Sequence, residues 1–204
     1  MNENIFRILT ATILLSYIGT SIYFRRKADL NTGEQVSSKD DNQFLVLVLR
    51  IGGLFLWFSP LIYAIHPAWM AWSTMGLPDS VRWVAGIVGF ASLGLSRWTF
   101  KSLGTGISPS VGTRREHKLA MSGPYRWIRH PLYVFATLAF LSVATLADSW
   151  FITTLAILPF VLLALRVPSE EAHLIEKFGD QYREYMKHTG RFFPRLVQST
   201  TEAF

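Results

Sequence analysis

The residues of this chain best suited to chemistry fall in two clusters. One is the segment Gly123-Pro-Tyr-Arg-Trp-Ile-Arg-His-Pro-Leu-Tyr133; the other, about forty residues later, is Arg166 with Glu170-Glu171. Both border long hydrocarbon-like runs, and polar chemistry at a membrane boundary is costly enough to suggest function rather than packing. Pro131 suits the first position of a helix, since it lacks only an N–H that would go unpaired there. Arg129 and His130 then stand at the mouth of that helix, beside free backbone N–H groups that favour a carboxylate. A hairpin between the two runs brings Glu170 and Glu171 back to the same mouth. The pocket so formed has an anion-binding half (Arg129, His130, the helix end) and a cation-binding half (Glu170, Glu171). Tyr125, Tyr133, Tyr182 and Tyr185 supply aromatic faces. Such a pocket suits a zwitterion with an amino-acid head and an aromatic ring, and it can serve a substrate arriving from the lipid.

Each part has a plainer reading when taken alone. His130 beside a proline is a helix cap, and Glu170-Glu171 is the acidic first turn of a helix that starts at Pro168. Arg126 and Arg129 are charge anchors, and the aromatic stripe is packing. Their order around a hairpin is what points to a site. No metal is expected, because His117 and His130 lack the spacing and company of a zinc site. The chain has no cysteine, which excludes disulfides, thiolate ligands and a cysteine nucleophile.

The elements that must position these residues are apolar. Half of the 204 residues are hydrophobic, gathered in five runs: Ile5–Phe24, Phe44–Ile65, Val81–Phe100, Pro131–Ala147 and Trp150–Leu165. The first three are each about long enough to cross a hydrocarbon core of roughly 30 Å as helices; the last two are shorter and divided only by Asp148-Ser149. The net charge of +6 follows from placement. Sixteen of the twenty basic residues lie in alternate connections or the tail, all on one side, as the positive-inside rule requires. This predicts an N-terminus outside, five spans and a cytoplasmic C-terminus, and nucleic-acid binding is not needed to explain the charge. The first run lacks a cleavage pattern and reads as a retained span. Arg50, a third of the way into the second run, is explained by snorkelling to the interface as well as by any function. Gly86, Gly89 and Gly94 permit close helix approach in the third run. A helix beyond Pro168 carries Glu171, Leu174, Phe178, Tyr182 and Tyr185 on one face until Gly190 and Pro194 end it. The expected fold is an all-α integral membrane protein of five transmembrane helices, with a cytoplasmic C-terminal helix and cofactor-binding loops.

Gly123-Pro-Tyr125, Arg129-His-Pro-Leu-Tyr133, the hairpin, Arg166, Glu170-Glu171, Phe178-Gly179 and Tyr182/Tyr185 recur in the order seen in a known group. From about Gly104 to Pro194 the chain resembles the isoprenylcysteine carboxyl methyltransferase family, within the membrane methyltransferases that include phospholipid N-methyltransferases. It is similar to the shorter, prokaryote-like members. The resemblance implies S-adenosylmethionine as methyl donor, with S-adenosylhomocysteine as product, bound on the cytoplasmic side. It implies that His117 and Leu119 lie in a strand-like stretch against the adenosine part. Gly123, Tyr125, His130, Tyr133 and Tyr182 would line the donor, and Glu170 and Glu171 would hold its amino end or ribose. Arg166, with Arg114 or Arg115, would lie near the methyl-accepting group. It divides the chain into three spans over residues 1–103, a catalytic cofactor-binding half over 104–194, and a tail over 195–204. The acceptor so implied is a lipophilic carboxylate reaching the site from the bilayer. A phospholipid headgroup amine is the alternative acceptor, and a non-enzymatic lipid-binding scaffold the alternative outside enzymes.

Overall fold

The computed structural model describes residues 2–32, 43–103 and 119–195, and among them all regular structure is helical. Helix α1 covers Asn2–Thr32, α2 Gln43–Ile65, α3 Asp79–Leu103, α4 Pro131–Leu146, α5 Trp150–Phe178 and α6 Asp180–His188. Short 3₁₀ turns at Pro67–Ser73 and Gly123–Arg126 precede α3 and α4. Two helices, α1 over Asn2–Leu30 and α5, are long and apolar enough to cross a membrane; Ile51–Ile65 and α4 are shorter apolar helices.

The helices alternate in direction, and buried polar contacts at one end fix this. Arg82, at the start of α3, is buried among the start of α1 and the ends of α2 and α4. Its Nη1 lies 2.8 Å from Glu3 Oε2, its Nη2 donates to Tyr63 Oη at 2.7 Å, and Nε and Nη2 donate to the Leu146 carbonyl at 3.0 and 2.7 Å. The Phe6 ring covers its guanidinium at 4.0 Å. Arg7 caps the last carbonyls of α2, Ala64 at 2.8 Å and Ile65 at 2.6 Å. A helix's final carbonyls have no partner within the helix, so buried cations are stable there. The α4–α5 hairpin turns at the same end. Asp148 adopts φ 51° and accepts from Leu77 N at 2.9 Å, while Ser149 caps α5 by accepting from Ile152 N at 3.3 Å. The tight hairpin expected at Asp148-Ser149 is therefore present, with Ala147 added to the connection as the C-cap of α4. Trp69 and Trp72 are exposed here, Trp72 edge-on to Trp150.

Helix α4 lies at the centre, packed on α3, α5 and α1. Gly89 permits the closest approach. A Cβ there would stand 2.6 Å from Ile13 Cδ1 and 3.2 Å from Ser142 Cβ, so α1 and α4 both touch the α3 backbone. Gly94, grouped with it by sequence, faces open space. Many apolar side chains point outward instead, among them Ile8, Leu15, Phe55, Ile87, Val161 and Leu165. A water-facing surface would not place them so densely.

Two expectations about the last run are corrected. Pro168 does not start a helix: α5 continues through Pro159 and Pro168 for 29 residues. The face running from Glu171 to Tyr185 is not one helix either, because Gly179, at φ 56°, breaks it into α5 and α6. A transmembrane-type helix tolerates internal proline where neighbours satisfy the freed carbonyls, whereas a positive φ ends it.

Candidate functional site

At the end opposite the hairpin, three pieces of chain converge: the start of α4, the far part of α5 beyond its apolar stretch, and α6 with the strap after it. Pro131 is the first residue of α4, as its chemistry requires, and His130 is the N-cap with no side-chain capping bond. The strap returns alongside residues 127–130. Arg129 N donates to Gly190 O at 2.8 Å, His130 N to Arg191 O at 3.0 Å, and Gly190 N to Trp127 O at 3.2 Å.

Glu171 is the hub. Its side chain is 3% exposed, and Arg129 Nε reaches Oε1 at 2.7 Å while Arg191 reaches Oε2 at 2.9 Å. His130 Nε2 stands 3.5 Å from Oε1, without the alignment of a hydrogen bond. Arg129 also donates to the carbonyls of Met186, at 3.3 Å, and Thr189. Burial opposes ionisation of Glu171, but His130, Arg129 and Arg191 outweigh it and hold the carboxyl at about 2. Glu171 is thus a fixed negative charge at neutral pH.

The neighbouring side chains form a second layer. Tyr133 donates to Glu170 Oε2 at 2.9 Å, and the His130 ring stacks on Tyr133 with centroids 5.5 Å apart. Tyr185 donates to the Tyr125 carbonyl at 2.6 Å, which ties α6 to the 3₁₀ turn. Burial, then the charges of Tyr185 and Glu170, push the Tyr125 hydroxyl well above its ordinary range. Tyr182 is fully buried and burial, then Glu171, raises its hydroxyl likewise. Two buried polar atoms, Tyr182 Oη and His130 Nε2, have no hydrogen-bond partner among the described residues. Buried polar atoms are normally paired, so these two stand out among the described residues.

The structure therefore brings together Tyr125, His130, Tyr133, Glu170, Glu171 and Tyr182. Arg166 is half-buried one turn before Glu170. Leu119 is half-buried in irregular chain, and Gly123, at φ 61°, packs so closely that a Cβ would overlap Ser102 Oγ. Arg114, Arg115 and His117 lie outside the described residues. Arg129 and Glu171, placed by sequence in opposite halves of the pocket, are paired with each other. Arg191 and Phe192 were not singled out, although an arginine directly after the helix-ending Gly190 is a signal. Phe192 packs between His130 and Phe160, centroids 6.0 and 5.4 Å away.

The strap depends on Gly190, where any Cβ would overlap the Phe193 carbonyl oxygen. Gly190→Ala is expected to cost about 2 kcal/mol or more and to free the strap. Limited trypsin digestion should then show early cleavage after Arg191 and Arg195.

The arrangement of these helices resembles the fold of a known intramembrane enzyme. The solved structure of the eukaryotic intramembrane Ras methyltransferase ICMT, an isoprenylcysteine carboxyl methyltransferase, matches with a TM-score of 0.54 at 17% identity, over 91% of this chain and 67% of that one. The family model for phospholipid methyltransferases matches residues 81–181. Over residues 81–181 the chain matches this membrane methyltransferase family, as the resemblance of its motifs implied. Protein-S-isoprenylcysteine O-methyltransferase of Schizosaccharomyces pombe is 31% identical over 114 residues, 53% of this chain and 48% of that protein. Cobalt-zinc-cadmium resistance protein CzcN of Cupriavidus metallidurans is 34% identical over 86 residues, 42% of this chain and 40% of that protein. The chain thus spans less than half the length of these relatives.

Proposed function

We propose that this chain is an integral-membrane, S-adenosylmethionine-dependent methyltransferase that esterifies the carboxylate of a lipophilic, isoprenylcysteine-like acceptor. The observation that carries this reading is the convergence of Glu170, Tyr133, His130 and the Glu171 ion cluster at one mouth of the α4–α5 hairpin, inside the family-matched segment. In this reading the five helices α1–α5 all span, the N-terminus lies outside, and the site faces the cytoplasm. Residues 104–194 form the catalytic half, after three spans over 1–103 and before a tail over 195–204.

The residues fit the donor's chemistry. S-adenosylmethionine, when bound, supplies a methyl group on a positively charged sulfur. Glu170, oriented by Tyr133, is placed to receive an ammonium group. His130 Nε2 and Tyr182 Oη offer the two unused polar atoms, and Tyr125, Tyr133 and Tyr182 offer aromatic faces to a purine or sulfonium. Gly123, Leu119 and His117 complete the lining by family pattern. Glu171 acts through the residues it fixes, since Arg129 and Arg191 occupy its oxygens. Arg166, with Arg114 or Arg115, holds the acceptor carboxylate, which an arginine can grip bidentately. A carboxylate is already ionised at neutral pH and needs only orientation and desolvation.

The charge state of Glu171 favours this over an amine acceptor. A neutral headgroup amine needs a base, and Glu171, held at about 2 and occupied by two arginines, is a poor one, which leaves His130 and Glu170 for that role. The name of the CzcN relative concerns metal resistance; among the described residues no group of His, Asp and Glu is placed to hold a metal ion.

Calorimetry of the purified chain with S-adenosylhomocysteine tests the reading, and absence of saturable binding overturns it. Labelled methyl transfer into a membrane extract then identifies the bond: base-labile label marks an ester, base-stable label an N-methyl product. Tyr133→Phe removes one hydrogen bond to Glu170 and is expected to weaken S-adenosylhomocysteine binding about three- to tenfold, with little change in melting temperature.

A further inference from the structure

Between the end of α6 and the strap lies an open cleft of about 540 Å³, and nothing in the methyl-transfer reading uses it. Arg129, Lys187 and Arg195 line it with Thr189, Met186 and Phe193, and none of the described lining residues is a carboxylate. The cleft on the other flank of α6 differs, since Glu184 lines it beside Arg126 and His188. The positive charge of the first cleft is only partly balanced. Glu171 carries one negative charge against both Arg129 and Arg191, and Lys187 pairs with Glu184 only at the exposed surface, where ion pairs are weak. Arg195 Nη1 donates to the Met186 and Lys187 carbonyls at 3.2 and 3.0 Å, which holds its guanidinium at the cleft rather than free in solvent.

The apolar side of the cleft indicates what kind of anion it takes. Phe193 is 78% exposed, the most exposed aromatic residue among those described. Phe192 packs on His130 and Phe160, whereas the Phe193 ring turns outward with Pro194 and Arg195. Arg191 pairs with Glu171, just beyond the apolar stretch of α5, which puts the start of the strap at the level where that stretch ends. An outward ring beside three cations at that level matches the boundary of headgroup and acyl chain, where aromatic and basic residues settle together.

We propose that this cleft binds the headgroup of an anionic phospholipid from the surrounding leaflet, with Arg129, Lys187 and Arg195 on the phosphate and Phe193 against the first acyl carbons. Arg129 joins the cleft to the ion cluster, with Nε on Glu171 and Nη1 on carbonyls of the cleft wall. The proposal requires a bilayer beside α5 but not the methyl-transfer reading.

The cysteine-free chain allows a clean test. The full chain carrying Phe193→Cys, labelled with bimane in place of the ring, is placed in phosphatidylcholine nanodiscs doped with a small fraction of brominated lipid. Brominated phosphatidylglycerol is expected to quench the label at least about twofold more than brominated phosphatidylcholine at equal mole fraction, given the attraction of each basic residue to an anionic lipid. Added Lys187→Gln should lower that preference, and Lys187→Gln with Arg195→Gln should abolish it, in protein whose melting temperature and elution profile confirm folding. Lys187→Gln alone decides the matter if the double variant does not fold. Millimolar inorganic phosphate should leave the preference intact; its loss would mean the cleft takes free phosphate instead. Equal quenching by both lipids, or a label that neither lipid reaches, overturns the proposal.

Discussion

Replacing Glu171 with alanine is expected to abolish detectable S-adenosylhomocysteine binding and to destabilise the purified chain by about 3 kcal/mol or more. The carboxylate is almost wholly buried and joins Arg129 from the start of α4 to Arg191 from the strap. Removing it leaves the Arg129 guanidinium, 8% exposed, without its counter-charge. It also unties the strap from α5 and frees the His130 ring. Thermal unfolding of the detergent-solubilised chain and calorimetry on the same sample measure both effects. A variant that keeps donor affinity would remove the ion cluster from the site. Acid titration gives an independent check. The folded carboxyl sits at about 2 against an ordinary 4.5, so the unfolded chain takes up its proton first as pH falls. The stabilisation is therefore complete above about pH 4.5 and is lost between there and pH 2. Glu171→Gln, which has no carboxyl to titrate, should show a flatter loss of melting temperature across that window.

Arg82→Ala should cost a similar amount, about 3 to 5 kcal/mol, yet leave donor affinity unchanged in the protein that remains folded. Arg82 links three of its neighbouring helices at the hairpin end, through Glu3, Tyr63 and the Leu146 carbonyl. Its loss leaves a partly buried carboxylate and a buried helix-end carbonyl unpaired, and each carries a desolvation penalty. Arg82→Met combined with Glu3→Gln keeps volume and removes the stranded charge, so it should recover part of the loss. Melting temperature compared across the three variants, with S-adenosylhomocysteine titration of each, separates this clamp from the site. Reduced donor affinity in Arg82→Ala would mean that the two ends are coupled.

The contrast between these residues shows what a sequence can disclose. Pro131, Asp148-Ser149 and the paired glutamates were legible because each rests on local chemistry: a missing N–H, a capping hydroxyl, a spacing on one helix. From them the mouth shared by α4 and α5 followed. Arg82 read only as a basic residue inside an apolar run, because its partners Glu3 and Tyr63 are distant in sequence. Arg191 escaped notice for the same reason, being tied to Glu171 only through the return of the strap. Pro168 misled in the opposite direction. Its local preference for a helix start yielded to the packing of α5, while Gly179, a weaker signal, made the actual break by taking a positive φ.

The length of α5 turns into a ruler. Its 29 residues extend about 44 Å at 1.5 Å per residue, well beyond a hydrocarbon core of about 30 Å. From Trp150, at the end crowded with indoles, to Glu170 the helix rises about 30 Å. In a bilayer whose far boundary lies at Trp150, the near boundary falls at the glutamates. Covalent spacing alone then sets the chemistry in the plane where acyl chains give way to headgroups. In the proposed reading, a lipophilic acceptor keeps its tail dissolved while its polar end reaches Arg166. A thinner bilayer would lift the carboxylates into water and a thicker one would draw them into oil, so membrane thickness becomes a working condition of the site.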